Sequence, residues 1–232
     1  MTNERRRVLV VRGGWAGHEP VGTTDRLIPL LIEEGFEVEI SGSLECYATP
    51  AVMEDLDLIV QCWTMGEISP GQLSGLLSAI AAGTGLTGWH GGLCDAFRNS
   101  PDYQFMTGGQ WVAHPGGAID YEVNFMRVGA DPLIAGLEDF RLRSEQYYMH
   151  VDPSNIVLAT TTFQGTEDAP WTKGCVMPVA WKRTYGKGRV FYSALGHEAS
   201  DFDVSQVLEL VLRGSLWASR SATRMSRLAA EG

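Results

Sequence analysis

Positive charge is in short supply in this sequence: 18 Lys and Arg stand against 28 Asp and Glu, a formal charge of −10 over 232 residues. That balance repels phosphate backbones and anionic headgroups, so nucleic acid and membrane surfaces are excluded as expected partners. Long apolar runs are missing too. Nothing approaches the roughly 20 residues of a membrane helix. The basic start MTNERRRVLVVRGG runs into only Val8–Val11 before Arg12, short of the ~7–15 apolar residues of a signal peptide. Cysteine is sparse, and Cys46, Cys62, Cys94 and Cys175 form no C-x-x-C pair. A ribbon-type zinc site and, in a chain this long, a disulfide scaffold are therefore not indicated. The expectation is a soluble, reduced, cytoplasmic protein.

Glycine is abundant, 27 residues against an average of about 7%, and it punctuates an ordered pattern. Arg7–Arg12 is a near-continuous apolar run ending at Gly13-Gly14, as expected of a parallel strand covered on both faces. Thr23–Glu34 carries Leu27, Leu30 and Leu31 on one helical stripe, with Thr23, Thr24 or Asp25 as caps and a stop at Gly35. Strand patterns follow at 36–40, 56–62 and 86–90, and Ser69–Ala82 reads as a helix with Pro70 at its first position. This β-α alternation predicts an α/β fold with a mainly parallel sheet and helices on both faces. Further strand patterns at 121–128, 156–163, 179–185 and 189–195 extend it, and the turn Tyr185–Arg189 joins the last two as an antiparallel hairpin. Val204–Ala218 is a closing helix, and 219–232 extends it or forms a tail. With no repeat and no linker-like break, residues 1–232 read as a single domain.

In an open parallel sheet, ligands collect beyond the carboxyl ends of the strands. His18 follows the first strand, His90 ends the fourth, His114 lies in the insertion after it and His197 follows the last strand. His150 has no evident place in that scheme. Gly88-Trp89-His90-Gly91-Gly92 fits the strand-to-turn elbow that presents a nucleophile, with an imidazole at the central position. Cys94 would need a different turn to act there and reads better as a small packed side chain. Gly13-Gly14-Trp15-Ala16-Gly17 is not G-x-G-x-x-G, and a bulky Trp occupies the turn, so no nucleotide cofactor is expected.

A set of motifs then comes together along the chain: His18-Glu19, Gly88-Trp89-His90-Gly91 with Asp95, Ala113-His114-Pro115-Gly116-Gly117, Ser144-Glu145-Gln146-Tyr147, Pro178-Val179-Ala180-Trp181, and Tyr185-Gly186-Lys187-Gly188-Arg189 through to Gly196-His197. In this order, over roughly residues 8–210, they resemble the trehalose-utilisation (ThuA-like) family. The resemblance implies the class I glutamine amidotransferase-like fold, a flavodoxin-like sheet, without the glutaminase cysteine. It also implies a role in carbohydrate metabolism on a small-molecule sugar or sugar derivative. His197 falls where the amidotransferase fold carries its catalytic histidine. One departure is that the family's Asp-Glu-x-Tyr motif reads Ser144-Glu145-Gln146-Tyr147 here, which removes one carboxylate.

Two chemistries suit these residues. Neutral imidazoles from separate loops can converge on Zn²⁺ or another divalent metal, with His18, His90 and His114 as ligands and Glu145 as a fourth ligand or general base. Alternatively, His90, Glu145 and His197 run acid–base catalysis, with Asp95 orienting a histidine or capping a helix. Trp63, Trp89, Trp111 and Tyr147 are candidate sugar-binding rings. The expected function is metal- or histidine-assisted hydrolysis or isomerisation of a sugar, not glutamine hydrolysis. The alternative is a non-catalytic carbohydrate-binding or regulatory protein, and homo-oligomerisation stays open.

Overall fold

The computed structural model describes residues 6–127 and 131–220. In chain order its elements are β1 (Arg6–Gly14), α1 (Pro20–Glu33), β2 (Phe36–Ser41), α2 (Pro50–Met53), β3 (Leu58–Thr64), α3 (Pro70–Ala82), β4 (Gly85–Trp89), α4 (Gly91–Cys94), α5 (Pro101–Thr107), β5 (Gly109–Ala113), β6 (Ala118–Phe125), β7 (Phe140–Glu145), β8 (Tyr148–Val151), β9 (Ile156–Thr162), β10 (Val176–Tyr185), β11 (Gly188–Ser193) and α6 (Ser205–Ala218). Nine strands form one mixed sheet in the order β2-β1-β3-β4-β11-β10-β9-β6-β7, and β5 pairs with β8 separately. The first five of the nine are parallel to one another, and the rest form an antiparallel arm.

The apolar run of β1 has a simple cause. Val8, Leu9, Val10 and Val11 alternate between two faces, and all four are buried, so both faces of the sheet are covered. Each such side chain contributes about 1.5–3 kcal/mol of burial. β11 identifies the two covers, because residues 188 and 191 point to opposite faces. Gly188 lies against Ile80 of α3, while Phe191 lies under Gly214 of α6. α6 also contacts α1. The free edge at β2 carries Glu37 and Glu39 outward, a charged border that discourages strand addition.

Several sequence expectations change in detail. α1 begins at Pro20, not Thr23, because proline at its first position sets the helical φ. Thr23 and Thr24 then donate back to the carbonyls of Glu19 and Pro20 and cap nothing. α3 has the expected bounds after Ser69, which forms a capping box with Gln72. The helix α5 and the strand β5 lie in the insertion after His90, and β7 and β8 lie between the strands predicted at 121–128 and 156–163, where no strand is predicted. Of the predicted strand 121–128, Val128 lies outside the described residues, as do 221–232 of the predicted extension or tail. Among the described residues, no helix is long and apolar enough to cross a membrane.

α3 offers a paired test of packing. A Cβ at Gly75 would lie 1.9 Å from the Tyr47 carbonyl oxygen, whereas one at Gly71 meets nothing within 4 Å. Gly75→Ala should therefore destabilise the fold by about 1–3 kcal/mol, and Gly71→Ala should stabilise it by up to about 1 kcal/mol. Urea unfolding reads both, and a Gly75→Ala protein as stable as the parent would contradict this packing.

Candidate functional site

The loops after β1, β4 and β11 meet at the carboxyl edge of the parallel strands. The turn Ala16–His18 brings His18 over the end of β3, where its Nδ1 lies 2.9 Å from Thr64 Oγ1. His90, directly after β4, adopts φ 47° and ψ −139°, a conformation that costs a non-glycine residue about 1–3 kcal/mol. Its surroundings enforce it. The His90 N–H donates to the Ser193 carbonyl at 2.6 Å, its carbonyl accepts from the Tyr192 hydroxyl at 3.1 Å, and Tyr147 stacks on its ring at 3.8 Å. The glycines of the elbow are needed for contact. A Cβ at Gly91 would lie 2.4 Å from the His18 ring, and one at Gly92 would lie 2.8 Å from Cys62 Cα.

His197 follows β11, and its N–H donates to Asp201 Oδ2 at 2.9 Å. Glu145 arrives from the arm, at the end of β7. The register shifts between β10 and β9 near Ala180 are of the kind that bends a sheet, and β7 returns over the parallel edge. Asp201 fastens the two parts together, because the same Oδ2 accepts from the Ser144 hydroxyl at 2.7 Å.

Glu145 is the hub. Its Oε2 lies 3.1 Å from His90 Nε2, 3.5 Å from His197 Nδ1 and 3.8 Å from His18 Nε2, and its Oε1 lies 3.8 Å from His114 Nε2. One ligand atom each from His18, His90, Glu145 and His197 fall within 4.8 Å of one another. Burial pulls His90 down to about 4, against the effect of Glu145. For Glu145, burial acts upward, but the His18 and His90 contacts and nearby imidazole charge outweigh it and hold the carboxyl well below the usual range. At neutral pH the pair is thus a neutral imidazole and a carboxylate.

That pairing leaves an electrostatic demand. His90 Nδ1 lies 2.9 Å from the Ala194 carbonyl, which can only accept, so Nδ1 carries the proton. The Nε2 lone pair then faces a carboxylate oxygen at 3.1 Å, acceptor against acceptor. The His197 Nδ1 is buried without a hydrogen-bond partner among the described residues. A cation among these atoms would resolve both conflicts. Tetrahedral coordination at the usual zinc distances separates ligand atoms by about 3.3 Å, close to the separations around Oε2.

The remaining candidates divide by position. His114 is 39% exposed at its side chain and lies outside the four-residue group, beside Trp111 and Tyr147. Trp111 lies under the Arg98 guanidinium, 4.6 Å from it. Tyr147 is buried against His90, and burial pushes its phenol well up, so it stays neutral. Among the described residues, Asp95 neither caps a helix N-terminus nor bonds a histidine. It follows α4 and binds Arg98 through both oxygens at 2.5 and 2.9 Å. Trp63 packs over Gly13. Trp89 is a core residue against Phe202 with no face open to a sugar, because strand alternation turns it away from His90. His150 is exposed on β8, paired across to Gln110. Cys94 is fully buried, and burial pushes its thiol well up. Asp201 and Thr64 were not marked by any sequence motif; their roles depend on contacts across the fold.

Residues 7–218 match the ThuA family model, described as trehalose utilisation, and the chain belongs to that family. Its role is accordingly carbohydrate-related. Among solved structures, a ThuA-like protein of Bacteroides uniformis aligns at 15% identity over 94% of this chain and 93% of that one, with a TM-score of 0.78. A ThuA-like protein of Parabacteroides merdae aligns at 17% identity over 93% and 90%, with a TM-score of 0.73. A β-galactosidase of Bacillus circulans sp. alkalophilus shares the fold over 94% of this chain but only 31% of its own, at 14% identity and a TM-score of 0.58. No curated protein matches the chain.

The Asp201 link yields a stability test. Asp201→Ala strands the His197 N–H and the Ser144 hydroxyl, each at about 1–3 kcal/mol, so we expect a loss of about 2–6 kcal/mol in urea unfolding. Asp201→Asn keeps one acceptor oxygen and should lose less. A change below about 0.5 kcal/mol in Asp201→Ala, the range of a neutral surface substitution, would remove the link from this account.

Proposed function

We propose that this protein is a carbohydrate-metabolism enzyme acting on a sugar or sugar derivative by hydrolysis or isomerisation, with a divalent ion of the zinc type held by His18, His90, His197 and Glu145. The observation that carries this reading is the His90–Glu145 contact, in which a lone pair faces a carboxylate and only a cation makes the pair attractive. Such an ion supplies Lewis-acid polarisation of a substrate oxygen. The chain's own residues do the rest. The Ala194 carbonyl fixes the His90 tautomer, and Tyr147 and Tyr192 hold the ring and backbone of the elbow. His114, outside the ligand group and partly exposed, has its Nε2 3.8 Å from Glu145 Oε1, where it is positioned to exchange a proton with the substrate. This assignment moves His197 into the ligand set and His114 out of it.

The parallel strands, taken in chain order, follow the 2-1-3-4-5 order of flavodoxin-like sheets, which supports the amidotransferase-like assignment. The cluster lies beyond the ends of β1, β3, β4 and β11, where such sheets carry their ligands. All four cysteines are free, in keeping with a reduced, cytoplasmic setting.

Elemental analysis of protein purified without a histidine tag should find one divalent ion per chain. His90→Ala and His197→Ala should lose it on dialysis, His114→Ala should retain it, and binding should weaken as pH falls towards about 4, where His90 protonates and loses its lone pair. An ion kept by His197→Ala and lost by His114→Ala would overturn the ligand set. Disaccharides and their oxidised keto forms, screened for turnover, should be consumed by the parent and not by His90→Ala. Saturable sugar binding without turnover would favour the non-catalytic alternative.

A further inference from the structure

Trp15 enters the sequence argument only as a residue too bulky for a dinucleotide turn, yet it is 48% exposed and lies at the edge of the cluster. Isolated exposed apolar side chains are ordinary. This one is fixed in place. Its backbone N–H donates to the Thr64 carbonyl at 3.1 Å, and its ring meets the His18 ring edge-on at 4.8 Å. The indole also folds over Gly17 so closely that a Cβ there would lie 2.3 Å from a ring carbon. Met65, the residue after Thr64, is also exposed, at 36%. From Trp15 the next ring inward is His18, whose Nε2 is 3.8 Å from Glu145.

From this geometry, and resting on the sugar reading above, we infer that Trp15 forms a subsite for the apolar ring face of an uncharged sugar next to Glu145. A large ring already immobilised loses little freedom on binding, and its flat apolar face complements the C–H face of a pyranose. The lack of charge follows from the rim. Arg98, the cation over Trp111, has its Nε and Nη2 both taken by Asp95. The Glu198 side chain is 54% exposed, with an oxygen 3.6 Å from His197 Nε2. A phosphate or carboxylate on the substrate would meet a cation already paired and a further carboxylate beside His197.

The test is saturation-transfer NMR and calorimetric titration of the metal-loaded protein with methyl α-glucoside, trehalose, glucose 6-phosphate and gluconate. The parent should bind the two neutral sugars in preference to the two anions. Trp15→Ala should weaken neutral-sugar binding at least about tenfold, the scale of a lost anchoring ring, with ion content unchanged, and Trp15→Phe should restore most of it. Gly17→Ala, which pushes the ring from its seat without removing it, should weaken binding as well. Unchanged affinity in Trp15→Ala, or tighter binding of the anions, would overturn the subsite and leave the sugar reading standing. A parent that binds none of the four would overturn the sugar reading, and the subsite with it.

Discussion

The structure turns on one carboxylate placed among imidazoles that cannot all donate to it. Glu145 Oε2 has three ring nitrogens within 3.8 Å, and the nearest of them belongs to a histidine whose proton is committed to the Ala194 carbonyl on its other side. Burial makes that histidine hard to protonate, so the arrangement does not become an ordinary ion pair at neutral pH. A lone pair held against a carboxylate in a buried place is unfavourable by itself, and the proposed cation rests on that contact.

Much of the surrounding fold bears on this contact. The elbow at His90 is strained, and Ser193, Tyr192 and Tyr147 hold it from three directions. The absence of a side chain at Gly91 lets His18 lie against the turn. Glu145 comes from the outermost strand of the sheet order, so the antiparallel arm must curl back to deliver it. Asp201 fastens that arm to the His197 loop through Ser144. The serine in the family's acidic motif is matched to this contact, because a carboxylate at 144 would face Asp201 where a hydroxyl now donates to it.

The parallel half was legible in the sequence because burial on both faces writes a near-continuous apolar run, as in Val8–Val11, and because helices such as Pro70–Ala82 carry their own start and stop signals. The arm was less legible. Phe140–Glu145 carries only two apolar residues, Phe140 and Leu142, in six positions, too few to separate a strand from a loop. The histidines could be assigned to one edge of the sheet, since each of four follows a strand or its insertion. The division between His114 and His197 could not be read, because it depends on which oxygen of Glu145 each one faces after the arm has folded. Trp89 and Trp15 make the same point for the rings. Trp89 neighbours His90 in sequence, but the pleat turns it into the core, whereas Trp15 reaches the site only through the packing of its loop on Thr64 and Gly17.

The most direct test of a cation between Glu145 and the imidazoles is anomalous diffraction at the zinc edge, on crystals grown with zinc from protein never exposed to a nickel column. The account requires a peak among His18 Nε2, His90 Nε2, His197 Nδ1 and Glu145 Oε2, at about 2.0–2.2 Å from each. An ordered Glu145 hydrogen-bonded directly to His90, with no peak at zinc concentrations that load other sites, would contradict it.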